Sequence, residues 1–145
     1  MTVGAKEIAR VLGGERILRR RIRSLSELNA AVSEGLPRAA LREAARHIAP
    51  TERESAELMH RVVPRGTLAR RKTRLSRAES ERLERYARLM ALAELVWGNA
   101  DDARAFLNES HPMLGDRIPI DLARTELGAR MVEDLLLGLE YNVAV

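Results

Sequence analysis

The apolar positions of this chain recur at helical spacing from one end to the other. Residues three or four apart share one face of a helix, so each such run predicts a helix with a buried stripe. In "PRAALREAARHI" the stripe is Ala40, Leu41, Ala44, Ala45 and Ile48; Pro37 suits the first helical position and Pro50 closes the run. Ahead of it, Ile8, Leu12 and Ile17 keep the spacing across a break at Gly13-Gly14, and Ser26 is placed to cap a helix that reaches Glu34 and stops at Gly35. Behind it, Thr51 with Glu54 has the form of a capping box for a helix through Leu58 and Met59. Val63-Pro64 breaks the chain, and "RGTLARRK" makes the next short helix. Ser76 with Glu79 is a second capping box; Leu83, Tyr86, Ala87, Met90, Ala93 and Trp97 follow it, and Gly98 ends this longest helix. A short helix from about Asp102 to Asn108, the turn-rich "ESHPMLGDRIP", a short "IDLART" and a last helix from about Glu126 to Glu140 complete the chain. No segment alternates with period two and no unit repeats, so the expected fold class is all-α.

At 145 residues the chain has room for one compact domain, or for two half-sized units sharing a core. Charged residues at 32% beside 46% hydrophobic exclude a low-complexity tail, and 3% aromatics argue against a stacking platform for single-stranded nucleic acid. The absence of cysteine removes disulfides, thiolate nucleophiles and cysteine zinc sites. The most apolar run, "LMALAELVW", is broken by Glu94 well short of a membrane span, and the N-terminus lacks the apolar core of a signal peptide; a cytoplasmic protein with no membrane partner is expected. The net charge of +4 conceals an asymmetry: residues 1–75 carry 17 Lys/Arg against 8 Asp/Glu, and residues 76–145 carry 8 against 13. A basic half, 1–75, joined to an acidic half, 76–145, suggests two kinds of partner.

Three short helices in succession, the last beginning "PRGTLARRK", have the layout of a helix-turn-helix, in which one helix braces across the DNA backbone and the next enters the major groove. Thr67, Arg70, Arg71 and Arg74 fall at spacings that share a face, with Arg65 near the helix start and Lys72 beside them. Arginine forks of this kind suit guanine edges and phosphates. A merely solvated basic helix is the alternative. In "ERILRRRIRS" the interleaved Ile17, Leu18 and Ile22 read as a buried stripe rather than an RNA-binding arm. On a wheel of about 100° per residue, the last helix groups Gly128, Val132, Leu135, Leu136 and Leu139 on its core side. The other side gathers Arg130, Glu133, Asp134, Leu137 and Tyr141, so a leucine and a tyrosine sit among charges and lead into the apolar tail "NVAV". Such a tail either completes the protein's own core or enters a partner's groove. Trp97 and Phe106 fall at inward positions and are expected in the core.

Nothing in the sequence supports catalysis. His47, His60 and His111 lie 13 and 51 positions apart without HxxxH or HxxE pairing, so they read as surface or capping residues and no metal site is expected. The serines lack nucleophile-elbow glycines, and "LGG" lacks the Lys-Ser/Thr of a phosphate loop. Asp101-Asp102 fits helix-start chemistry. No cofactor and no small-molecule substrate are expected.

Taken in order, "VLGG", "RRRIRS", "GLPRAAL", "PRGTLARRK", "LSRAESERLERYARLMALAELVWGN" and "HPMLGDRIPIDLARTELGARMVEDLLLGLEYNV" resemble the Xre/MbcA/ParS-type antitoxins across almost the whole chain. In that family a helix-turn-helix half precedes a toxin-binding half marked by a Leu-Gly-x-Arg-x-Pro turn, matched here by Leu114, Gly115, Arg117 and Pro119. The start and close of its last helix match Thr125, Glu126, Gly128, Val132, Glu133, Asp134, Leu135, Glu140 and Tyr141, with Asn142 where glycine is usual. The resemblance implies an all-α protein whose helix-turn-helix half, 1–75, packs with a toxin-binding and dimerisation half, 76–145. It implies a non-catalytic type II antitoxin that blocks the active site of a RES-domain toxin consuming NAD⁺, forms a homodimer, and represses its own operon by binding operator DNA. The residues that would meet the toxin are Arg117, Arg130, Glu133, Asp134, Leu137, Glu140, Tyr141, Asn142 and Val143; those that would meet DNA are Arg65, Thr67, Arg70, Arg71, Lys72 and Arg74. The competing reading is a stand-alone helix-turn-helix transcription regulator with a helical dimerisation domain.

Overall fold

A computed structural model describes the backbone of residues 3–144 and the side chains of residues 3–139. Ten α-helices and one 3₁₀ turn make up the regular structure of the described residues, and the only β contacts among them are two isolated bridges. The first helices are short: α1 (Ala5–Val11) and α2 (Gly14–Leu18) meet at Gly13, whose φ of 110° is left-handed and whose missing side chain leaves room for Ile17. α3 (Leu25–Glu34) begins earlier than the pattern predicts, because Ser24 rather than Ser26 caps it by accepting the Glu27 amide. α4 (Arg38–Ile48) turns its five predicted apolar residues fully inward, and Pro37 stands just outside it as the N-cap. α5 (Glu52–Val62) starts at Thr51, whose hydroxyl accepts the Glu54 amide. α6 (Arg65–Arg70) is shorter than "RGTLARRK" suggests.

The organising element is α7 (Arg77–Trp97), opened by the full Ser76–Glu79 capping box and closed by Gly98 at φ 83°. Leu83, Tyr86, Ala87, Leu89, Met90, Ala91, Leu92 and Ala93 are all buried, so this helix is covered on most of its circumference rather than along one stripe. α1, α3 and α4 lie against it, as do α8 (Ala100–Asn108) and α10 (Glu126–Ala144). The 3₁₀ turn Pro112–Leu114 and α9 (Pro119–Leu122) bridge α8 to α10. One continuous hydrophobic core therefore joins the two halves of the chain through α7.

Phe106 is buried as expected, but Trp97 is not: it is 41% exposed. It is the last residue of α7, so only one side of its indole has an aromatic neighbour, the Phe106 ring at 6.0 Å. No described helix is long and apolar enough to cross a membrane.

Candidate functional site

The basic segment is built on a braced turn. Val62 and Val63 are buried between α5 and α6, and the Arg82 Nε donates to the Val62 carbonyl at 2.9 Å. Leu68 anchors α6 to the core, which leaves Arg65 and Arg70 exposed and Thr67 half-buried, with Arg70 reaching the Thr67 hydroxyl at 3.5 Å. Arg65 and Lys72 have no ion-pair partner among the described residues.

Arg71 and Arg74 do not share a helical face with Thr67 and Arg70, because α6 has ended and the backbone at Arg71 is extended. The Arg71 guanidinium turns back in a two-pronged contact with Glu79, 3.0 Å for each N–H. Glu79 also accepts the Ser76 amide at 2.7 Å, and its side chain is almost wholly buried. The Arg71 hydrogen bonds hold its carboxyl below the ordinary carboxylate range. Arg74 donates to the Gly35 carbonyl at 3.0 Å, while the Arg38 amide meets the Thr73 carbonyl and the Leu75 amide meets the Leu36 carbonyl. The exit of α6 is thus strapped to the start of α4, with Arg65, Arg70 and Lys72 left facing solvent. The Ser76–Glu79 box is visible in the sequence, but nothing in the spacing says that Arg71 completes it.

The acidic half has a second prepared surface. At its base, Gly115 adopts φ 66°, and Arg117 closes the turn by donating from Nε to the Leu114 carbonyl at 2.8 Å. Leu114 and Pro119 are buried under this turn. The Thr125 hydroxyl then accepts the Gly128 amide at 2.9 Å, and Gly128 sits so close to Leu122 that a Cβ there would overlap the Leu122 carbonyl oxygen. The Thr-Glu-x-Gly pattern is therefore a steric requirement for docking α10 on α9.

Along α10, Ala129, Val132 and Leu136 face the core, and Leu135, Leu137 and Leu139 are half-buried against it. The solvent face carries Arg130 and Asp134, and beside them Leu127 and Met131, 70% and 41% exposed. These two apolar residues lie one helical turn apart, and the sequence pattern does not single them out; the wheel points to Leu137, which is instead drawn into a groove. Glu140, Tyr141, Asn142 and Val143 lie outside the residues whose side chains are described.

Glu133 leaves the solvent face as well. Its carboxylate lies 2.9 Å from Arg88 on α7, without the alignment of a hydrogen bond. Arg88 also meets Glu126 at 2.6 Å and Glu84 at 3.7 Å, while Arg85 holds Glu126 at 2.9 Å and the Arg124 carbonyl at 3.0 Å. Burial pushes the Glu84 and Glu133 carboxyls above their usual range, with Arg88 only partly opposing it. Burial works the same way on Glu126, but the hydrogen bonds from Arg88 and Arg85 outweigh it and hold that group low. The cluster fastens α10 to α7 by charge as well as by packing.

Residues 27–88 match the family model described as the antitoxin Xre-like helix-turn-helix domain, and residues 92–141 match the antitoxin Xre/MbcA/ParS C-terminal toxin-binding domain. The chain belongs to the Xre/MbcA/ParS antitoxin family. Two curated relatives, each named Antitoxin Xre, agree: that of Yersinia enterocolitica is 38% identical over 85 residues, 56% of this chain and 57% of the relative. That of Pseudomonas putida is 32% identical over 95 residues, 63% of this chain and 56% of the relative. The chain spans a little over half the length of these relatives. An antitoxin family is one of regulators rather than enzymes. In Xre/MbcA/ParS terms, α6 and its strapped exit belong to the helix-turn-helix match, and the Leu114–Pro119 turn and α10 through residue 141 belong to the toxin-binding match, with α7 serving both.

Proposed function

We propose that this protein is a type II antitoxin that binds a RES-domain toxin through α10, covers the toxin's NAD⁺-degrading active site, and represses its own operon as a homodimer in the cytoplasm. The observation that carries the reading is the pair Leu127 and Met131, exposed on α10 beside Arg130 and Asp134 and inside the region matched to a toxin-binding domain. Apolar side chains ringed by charges are the usual anatomy of a binding hot spot. Tyr141 and Val143, which the family resemblance marks, are assigned to the same toxin partner in this reading. An enzyme that binds an anionic dinucleotide presents basic groups in its pocket, so Asp134 and Glu140 supply complementary carboxylates there. Inhibition is steric and electrostatic, and needs no chemistry from the antitoxin.

On the other side, Arg65, Arg70, Lys72 and Thr67 contact the operator, and Arg71 and Arg74 act one step back by holding α6 in place. The test is co-expression with the product of the adjacent reading frame, scoring complex formation on a sizing column together with cellular NAD⁺ and growth. A stable complex that restores both supports the reading. No complex and no rescue would leave a stand-alone regulator acting through the helix-turn-helix half.

A further inference from the structure

Where α7 ends, side chains of α8 and α10 join it in lining an open pocket of about 290 Å³ with aromatic walls and an acidic rim. Asp102, Phe106 and Glu109 lie four and three residues apart, so α8 turns all three to this one face. Trp97 comes from the last residue of α7, His111 from the turn after α8, and Leu139 from α10. The Phe106 ring is the middle of the wall: the Trp97 indole leans on it at 6.0 Å, and the His111 imidazole meets it edge-on at 5.8 Å. All six residues fall within the stretch matched to the toxin-binding domain, 92–141.

Packing accounts for Phe106, which is buried, but not for Trp97, which leaves 41% of its surface in water. The carboxylates are also without cations: among the described residues no ion pair reaches Asp102 or Glu109. Arg104, the one cation of α8, is turned away to Asp101 and the His47 carbonyl. Asp102 has a local purpose, since it lies in the first turn of α8 and accepts from the Asn99 amide group at 2.8 Å. Glu109 has none. It is the C-cap of α8, where a carboxylate faces the negative end of the helix and costs stability. A cation laid on the Trp97 ring and reaching Glu109 satisfies the negative face of the indole and the unpaired charge together.

We propose that this pocket seats one cationic side chain of the toxin, an arginine or a lysine, with its charged head over the Trp97 indole and paired with Glu109, and its methylene stem against Phe106 and Leu139. Tryptophan is among the side chains on which interface binding energy concentrates, which gives the exposed indole a use that the fold does not. The contact rests on toxin binding in the proposed function and adds a second site to it, about two helical turns along α10 from Met131.

Trp97 is the chain's only tryptophan, so the full chain labelled with 5-fluorotryptophan gives one fluorine resonance, and it reports from this pocket. The unlabelled product of the adjacent reading frame is the probe, and the resonance is expected to shift as the complex forms. Calorimetry on the same pair is expected to show the Kd rising about tenfold for Trp97→Leu and for Glu109→Gln, and by only about threefold for Trp97→Phe, which keeps a ring. The Glu109→Gln complex should also depend less steeply on salt than the wild-type complex. Glu109 is exposed and unpaired, so Glu109→Gln should melt no lower than the wild type and keeps the test open if the Trp97 variants fold poorly. A complex that forms without moving the resonance overturns the proposal and leaves toxin binding standing. A resonance that moves while folded Glu109→Gln binds as tightly as wild type shows an occupant that is not a cation, and overturns it too. If acrylamide fails to quench the Trp97 fluorescence of the free chain, the pocket is already filled by the chain itself and the proposal falls. A wild type that forms no complex removes the proposed function, and this contact with it.

Discussion

Replacing Gly128 by alanine should destabilise this protein, although glycine to alanine inside a helix ordinarily gains about 1 kcal/mol. A Cβ at this position would overlap the Leu122 carbonyl oxygen, lie 2.7 Å from the carbonyl carbon and 3.0 Å from the Thr125 Oγ1. The obstacle is backbone at the end of α9, which cannot rotate away as a side chain would. Relief requires α10 to lift from α9, and that movement loosens Val132 and Leu136, both fully buried. Overpacking costs typically about 1–3 kcal/mol, and an overlap with fixed backbone falls at the upper end of that range, so after the helix-propensity gain a net loss of about 2 kcal/mol is expected. At roughly 2–4 °C per kcal/mol for a chain of this size, the melting temperature falls by about 4–8 °C. Gly138 provides the control on the same helix: it is exposed, with no atom within 4 Å of a Cβ, and its alanine variant should gain about 0.5–1 kcal/mol. Thermal melts and urea titrations of the two variants decide the matter. A Gly128→Ala protein that melts at or above the wild-type temperature, or two glycines that respond alike, would refute the steric account of the Thr-Glu-x-Gly pattern.

Truncating Arg65, Arg70 and Lys72 should weaken operator binding and flatten the dependence of log K on log salt by about 0.9 for each phosphate no longer neutralised, with stability unchanged; gel-shift titrations over a salt series measure both. Leu127→Arg combined with Met131→Glu should weaken the toxin complex by at least about 2 kcal/mol, or thirtyfold, without moving the melting temperature, as read by calorimetry on the purified pair. Glu79 and Glu84 should respond to pH with opposite signs. Arg71 holds the Glu79 carboxyl low, so its stabilising contribution is full at neutral pH and lost as pH falls through the carboxylate range. Burial raises Glu84, so its ionised form penalises the fold at neutral pH and the penalty lifts as pH falls through the raised value. Glu79→Gln should therefore destabilise and Glu84→Gln stabilise at neutral pH, both differences shrinking on acidification; urea titrations across pH that give both the same sign would contradict the assignment.

Local chemistry is legible in the chain itself. The stripe in α4, the Ser76–Glu79 box, the Gly98 stop and the Leu-Gly-x-Arg-x-Pro turn depend on residues a few positions apart, so their spacing states the geometry directly. The all-α class and the family resemblance follow from the same kind of information. What the spacing does not contain is which faces meet. The pattern along α7 shows one stripe, yet the helix is buried on most sides because α1, α3, α4, α8 and α10 all pack on it. Arg71 reads as a DNA-facing cation until Glu79, eight residues away, takes it inward. Glu133 and Leu137 read as an outer face until Arg88 and the groove claim them, while Leu127 and Met131 emerge on α10 as apolar residues left in water. A helical wheel orders side chains around an axis but does not set where the core lies when helices press from several directions; that is decided by packing between segments distant in sequence, and with it which charges are neutralised and which remain for a partner.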